Sequence, residues 1–169
     1  MSTKPLIIIS SRTGNTMAVG HAVCDALPGA VMVKPGAVPE DLTPYNPILL
    51  GFWCDRGDAP EDMLAVAPRI HGKTIGCFAT MGGDAEGERA KAWMRQTSEK
   101  LVNMGEGNHL AETFLCRGRI DPEVFQRMIA QRPYLRASLV AAGKRDTKHQ
   151  NSLARKKKTT QSPLKVSWL

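Results

Sequence analysis

The sequence predicts an open, doubly wound α/β fold: a five-stranded parallel sheet of order 2-1-3-4-5 with helices on both faces. Three observations lead there. Short β-branched and apolar runs alternate with stretches of helical period, the pattern of successive βαβ units. The first run, Pro5–Ile9, passes straight into Ser10-Ser11-Arg12-Thr13-Gly14-Asn15-Thr16, a polar loop that enters a helix. The loops after strands one, three and four are all of ligand-loop composition. They would converge outside the strand C-termini, where such a sheet keeps its crevice at the switch in strand order.

Each element has its own signal. Strand one is Leu6–Ile9. Helix one runs from about Asn15 to Ala26, with Ala18, Ala22 and Ala26 on one face, small enough for close packing on a sheet, and Pro28-Gly29 ends it. Strand two is a brief Ala30–Val33. The Pro-rich stretch Lys34–Asn46 is too short for a long helix, so this crossover is one turn or a loop. Strand three is Ile48–Gly51. Ala59–Ala67 reads as a helix with Asp58 as N-cap and Pro60 in the first turn, and Pro68 helps to end it. Strand four is Thr74–Thr80. The next helix has the clearest period: Ala90, Trp93, Met94, Thr97, Leu101 and Met104 fall on one stripe, and Gly105 is its stop signal. Strand five is His109–Cys116. Asp121-Pro122 announces a last helix with Val124, Phe125, Met128 and Ile129 as its buried face; Pro133 interrupts it, and 133–142 forms a second segment. No repeat is visible. Periodicity ends at Gly143, so the expected organisation is one domain of residues 1–143 and a basic, flexible tail of residues 144–169.

At 169 residues the chain is long enough for one domain with a full core. No apolar run approaches the ~18–20 residues that span a bilayer, and the first run is too short for the core of a signal peptide. The expectation is a soluble, cytoplasmic protein without a membrane partner. Cys24, Cys54, Cys77 and Cys116 are widely spaced, and His21, His71, His109 and His149 form no ligand pair, so neither a disulfide framework nor a metal site is expected. The cysteines read as small apolar side chains; Cys54, in a candidate loop, stays open to a role.

The net charge of +7 is unevenly placed. Residues 1–139 hold fifteen Lys/Arg and fifteen Asp/Glu, whereas residues 140–169 hold eight basic residues against Asp146 alone. The run Arg155–Lys158 reads as a solvated tail, or as a contact for an acidic partner. Nucleic acid is a poor fit, because only Trp168 offers an aromatic for base stacking.

Ser10–Thr16 is an anion site in outline. The hydroxyls of Ser10, Ser11, Thr13 and Thr16 can donate to phosphate oxygens. Gly14 lets the backbone come close, and the free N–H groups of the helix start add a positive dipole end. The loop lacks the G-x-x-x-x-G-K-S/T of triphosphate loops and the G-x-G-x-x-G of dinucleotide loops. What remains is a loop for one phosphate, with a plain helix-capping turn as the bland alternative.

The segment Ser11-Arg12-Thr13-Gly14-Asn15-Thr16 fits the pattern Ser/Thr-x-Ser/Thr-Gly-x-Thr at every fixed position, and in this it closely resembles the phosphate loop of flavodoxins. Leu49–Gly57 looks like the flavodoxin loop that packs a Trp on the flavin ring, and Gly76–Gly83 is similar to the second flavin-edge loop. The matches come in the family's order and the resemblance covers roughly residues 4–140. It is closest to short bacterial flavodoxin-like domains of the G-F-W type, here Gly51-Phe52-Trp53, some of which donate electrons to a separate reductase, bilirubin-reducing systems among them. FMN in a sheet of this order is the standing example of binding at the switch point.

The resemblance implies FMN as cofactor. It implies a phosphate cradle at Ser10, Ser11, Arg12, Thr13, Gly14, Asn15 and Thr16. Phe52, Trp53, Cys54 and Gly57 would supply the second loop, and Thr80, Met81, Gly82 and Gly83 the third. Trp53 is the candidate ring platform, since an aromatic stacks at modest entropy cost. Gly57, Gly82 and Gly83 mark places where backbone can approach the ring or take positive φ. Thr80 either donates to the ring edge or simply ends its strand. Arg117, in Cys116-Arg117-Gly118-Arg119, resembles a segment near the flavin. The chain departs from the family in one respect: residues 81–87 contain no aromatic. One flavin face would then be open, or covered by Met81 or by a partner. Asp55, Asp58, Glu61, Asp62, Asp84, Glu86 and Glu88 concentrate negative charge around the crevice while also opening helices.

No Ser/His/Asp or Cys/His constellation accompanies these loops, so the hard chemistry falls to the cofactor. The leading expectation is an FMN-binding electron-transfer protein that donates to a partner reductase. The alternatives are a stand-alone FMN-dependent NAD(P)H oxidoreductase acting on quinones or other small molecules, for which no second nucleotide loop is visible, and a flavin-free binding module, against which the intact loop argues.

Overall fold

The computed structural model describes residues 3–119. They form β1 (Lys4–Ile9), α1 (Asn15–Ala26), β2 (Val31–Val33), β3 (Tyr45–Trp53), α2 (Glu61–Val66), β4 (Thr74–Met81), α3 (Glu88–Asn103) and β5 (His109–Arg117). Single 3-10 turns follow β2 at Pro35–Ala37 and α2 at Ala67–Arg69. All strand pairs are parallel and the order is β2-β1-β3-β4-β5, as expected. The helix and segment expected beyond Asp121, and the domain boundary at Gly143, lie outside the described residues.

The interior strand β1 explains the two-layer covering. Leu6, Ile7, Ile8 and Ile9 are all buried, so β1 reads as one unbroken apolar run rather than an alternation. Ile7 and Ile9 join Phe78 against Met17, Val19 and Val23 of α1. Leu6 and Ile8 join Ile48, Leu50, Phe52, Ile75 and Ala79 against Met63 of α2 and Met94 and Leu101 of α3. The register between β1 and β3 shifts between Lys4 and Leu6, the stretch in which β1 carries Pro5 and β3 carries Pro47, neither with an N–H to give.

Three details differ from expectation. The alanine stripe of α1 is not packed down on the sheet: Ala18, Ala22 and Ala26 are exposed and line an apolar groove with Leu49, Gly76 and Phe78 of the sheet, whereas Thr16 and Gly20 are buried. At 3.6 residues per turn Ala18 lies about 200° round from Thr16. Close approach comes instead through Gly20, where a Cβ would stand 2.0 Å from Ile9 Cδ1. Secondly, Asp58 does not cap α2; the cap place belongs to Pro60, and no side chain caps the helix. A residue before proline is pushed out of the helical region, so Ala59 cannot start the helix. Thirdly, β3 is longer than Ile48–Gly51 at both ends, which carries Trp53 into the sheet.

The α3 stripe holds, with Ala90, Met94, Thr97 and Leu101 buried. Gly105 ends the helix region because nothing larger fits: a Cβ would stand 1.8 Å from the carbonyl oxygen of Ile70.

Candidate cofactor site

The loop after β1 is tied down from below. Ser10 closes the ladder by donating its N–H to the Gly51 carbonyl (2.8 Å). Its hydroxyl, nearly buried, shares its proton between the two oxygens of Asp62, 2.9 Å from each. Thr16 is buried in the floor, its hydroxyl 2.9 Å from that of Thr80. Two of the four expected phosphate hydroxyls are therefore engaged within the protein. Ser11 and Thr13 are engaged as acceptors. Ser11 Oγ accepts from Met17 N–H (3.2 Å) and Thr13 Oγ1 from Asn15 Nδ2 (3.0 Å), so each keeps its own proton for an incoming anion. Gly14 stands at the N-cap of α1 with φ +86°, a conformation that favours glycine. Gly14 supplies no side-chain cap; Ser11 Oγ takes the Met17 N–H, and the Asn15 and Thr16 amides of the first turn have no side-chain acceptor among the described residues. Arg12 is exposed and its guanidinium lies 5.5 Å from the ring centroid of Trp53, within cation–π reach.

The second loop separates two neighbouring aromatics. Trp53, partly exposed, lines a crevice of about 530 Å³ together with Ser10, Ser11, Arg12, Asp55 and Asp62. Phe52, expected among the cofactor residues, is fully buried on the other side of the strand, edge-on to Trp93 at 6.2 Å. Strand alternation sends successive side chains to opposite faces, so only one of the two can meet a ligand. Gly51 is a packing residue: a Cβ there would stand 2.3 Å from the ring of Phe78.

Beyond Trp53 the chain makes a tight turn. Asp55 and Asp58 exchange both backbone hydrogen bonds at 2.9 Å, and Arg56 (φ 51°) and Gly57 (φ 90°) both take positive φ, as a type I′ turn requires. α3 braces this turn. Trp93 Nε1 donates to the Gly57 carbonyl (2.8 Å), and Lys100 donates to and ion-pairs with Asp58. The Lys100 hydrogen bond holds the Asp58 carboxyl below its ordinary value. Cys54 gives its N–H to the Thr80 carbonyl (3.0 Å). Burial pushes its thiol up, and the charges of Asp55 and Asp58 add to this against an opposing backbone bond from Gly57. Cys54 is therefore a packed thiol, not a poised thiolate. Burial likewise pushes Cys77 up to about 12.

The third loop is the plainest. Met81 is partly buried; Gly82 and Gly83 are exposed, and neither takes positive φ, so among the three loop glycines of the flavin edge only Gly57 does. Asp84 Oδ1 accepts from Glu86 N–H at 3.1 Å, shaping the turn. Thr80 is buried with its hydroxyl on Thr16, so it serves the floor and not the ring edge. Arg117 ends β5 in register with Met81 and is exposed.

Two contributors were not singled out from sequence: Asp62 as the acceptor beneath Ser10, and the bracing of the second loop by Trp93 and Lys100. Asp62 carried a helix-start signal and a share of the crevice's negative charge but none of a partner for Ser10, Trp93 carried only its helical period, and Lys100 carried no signal. Among the described residues no three His, Cys, Asp or Glu side chains cluster as a metal site, and no helix is long and apolar enough to cross a membrane.

Comparison with known proteins agrees with this architecture. The flavodoxin-like domain-containing protein BilS of Clostridioides difficile is 28% identical over 123 residues, 69% of this chain and 67% of that protein. A flavodoxin of Streptococcus pneumonia TIGR4 superposes with a TM-score of 0.53 at 18% identity, covering 74% of this chain and 92% of that one. A flavoprotein from Lactobacillus acidophilus NCFM, solved in complex with FMN, gives 0.53 at 11% identity, covering 68% and 93%. At these identities the two structures speak for the fold alone. The model of the flavodoxin domain family, however, matches residues 6–157, most of the chain. With its sheet order and its loop after β1, the chain belongs to the flavodoxin domain family.

Proposed function

We propose that this protein is a flavodoxin-type electron carrier that binds one FMN and passes electrons to a partner reductase. FMN is the cofactor of the family to which the chain belongs, and the crevice residues fit it. The observation that carries the reading is the meeting of Ser11 and Arg12, from the single-phosphate loop, with one flat aromatic, Trp53, in the same crevice of about 530 Å³. Ser11, Thr13 and the first-turn amides of α1 would hold a terminal phosphate, which FMN has and FAD lacks. Trp53 would support one ring face.

FMN, when bound, supplies the redox chemistry. The chain's part is to bind, orient and surround it. The third loop has no aromatic to cover the second ring face, which suits direct transfer to a docked protein. Asp55, Glu61 and Asp62 line the crevice; they disfavour added negative charge and attract a partner with a basic docking face. The four free thiols fit a reducing, cytoplasmic setting.

Purified full-length protein should be yellow, and acid should release FMN and no FAD. Photoreduced protein, kept anaerobic, should be reoxidised by the cognate reductase together with that enzyme's own substrate, and not by that substrate alone. Rapid NADPH-dependent quinone reduction by the protein alone would replace the carrier with a stand-alone oxidoreductase. A colourless protein that FMN cannot load would leave a flavin-free module.

A further inference from the structure

We infer that Asn15 is a positioning residue for the flavin phosphate: its side-chain amide clamps the loop after β1 to the end of β5 and aims the Thr13 hydroxyl at the anion. This rests on the FMN reading above. The Asn15 side chain pairs with both main-chain groups of one residue far along the chain. Nδ2 donates to the Arg119 carbonyl at 2.6 Å, and Oδ1 accepts from Arg119 N–H at 3.1 Å. The second Nδ2 proton goes to Thr13 Oγ1 at 3.0 Å.

An amide has two N–H donors, and here each has its own acceptor. Thr13 thereby has a lone pair filled from the Asn15 side. Its own proton is left to point away from Asn15, and Thr13 is exposed. The clamp is built closely. At Gly118 a Cβ would stand 3.0 Å from Asn15 Nδ2 and 3.1 Å from its Cγ, so a side chain there presses on the amide. Gly118 N–H also donates to the Met81 carbonyl at 2.9 Å, which extends the tie to the loop after β4. A loop already held in its binding shape loses less freedom when the phosphate arrives. The benefit of Asn15 belongs to the phosphate, because its own bonds go to Thr13 and Arg119 and touch neither Trp53 nor Met81.

The test uses full-length apoprotein titrated with FMN and with riboflavin, which lacks the phosphate. Asn15→Ala should weaken FMN about tenfold and leave riboflavin within about twofold, the size of one lost charge-assisted hydrogen bond. Asn15→Asp, which keeps the acceptor for Arg119 but loses both donors, should lose at least as much FMN affinity. In a Thr13→Ala background the Asn15→Ala loss should shrink to about threefold or less, because the hydroxyl it orients is gone. Gly118→Val should reproduce the selective FMN loss without altering Asn15. Thermal unfolding of each apoprotein checks that the variants fold. Equal loss of FMN and riboflavin, or full additivity with Thr13→Ala, overturns the clamp. Wild-type binding of FMN with Asn15→Ala and Gly118→Val behaving like wild type overturns it too. Failure of the wild-type protein to bind FMN sinks the cofactor reading instead.

Discussion

The loops after β1 and β4 leave the same edge of the same sheet, yet they are built differently. The first is fastened by side chains from three directions: Ser10 to Asp62, Thr16 to Thr80, and Asn15 to Arg119. Among the described residues the second has one backbone bond, from Gly118 to Met81, and the turn made by Asp84 on Glu86. Between them stands the Asp55–Asp58 turn, braced by α3. The gradient runs from a rigid phosphate end to an open ring end. A pre-shaped cradle makes a phosphate cheap to bind, whereas an unbraced, aromatic-free loop leaves the ring edge accessible.

That gradient can be broken where it is strongest. Gly14→Val forces a β-branched residue into φ +86° at the start of α1. Strain of this kind costs ~1–3 kcal/mol, and the cradle is displaced with it, so FMN affinity should drop roughly a hundredfold with riboflavin far less affected. Thr13→Ala removes one hydroxyl and keeps the backbone. The loss should be smaller, about tenfold for FMN. Flavin fluorescence titration reads both, and equal loss of riboflavin would show that the loop does not hold a phosphate.

Trp53→Ala probes the middle of the gradient. An aromatic stack is worth ~0.5–1.5 kcal/mol, so FMN and riboflavin should weaken together by roughly two- to tenfold. Much of the tryptophan fluorescence quenching on binding should disappear. Quenching unchanged in the variant would remove Trp53 from the ring.

The brace of the second loop has a pH signature. The Asp58 carboxyl is held below its ordinary value by Lys100, so its contribution is present above the ordinary carboxylate pKa of about 3.9 and is lost as pH falls through the lowered one. The pair is solvent-facing, so the effect is small. Wild type should melt slightly above Lys100→Met at pH 7, and the gap should close as the solution is acidified below that range. A gap that persists at the acid end would assign the difference to packing. Least of all should come from Gly83→Ala. Its φ is not positive and a Cβ would meet nothing within 4 Å, so stability and FMN affinity should stay within about twofold of wild type. A large loss there would show that the third loop is as constrained as the first.

What was legible in the sequence was local. The alternation of strands and helices, the α3 stripe, the stop at Gly105 and the glycine at position 14 follow from side-chain period and allowed φ, which a short window contains. The sheet order followed from the place of the Ser10–Thr16 loop in that alternation. Tertiary structure alone decided which hydroxyls remain free. Ser10 and Asp62 are 52 residues apart, Thr16 and Thr80 are 64 apart, and Asn15 and Arg119 are 104 apart. Hydrogen-bonding side chains find partners wherever strand register and helix placement bring them together, and no nearby residue records that meeting. The same holds for the face of α1, where Gly20 rather than the alanine stripe meets Ile9: a helix's local period names its candidate faces, but only the neighbour it packs on selects one.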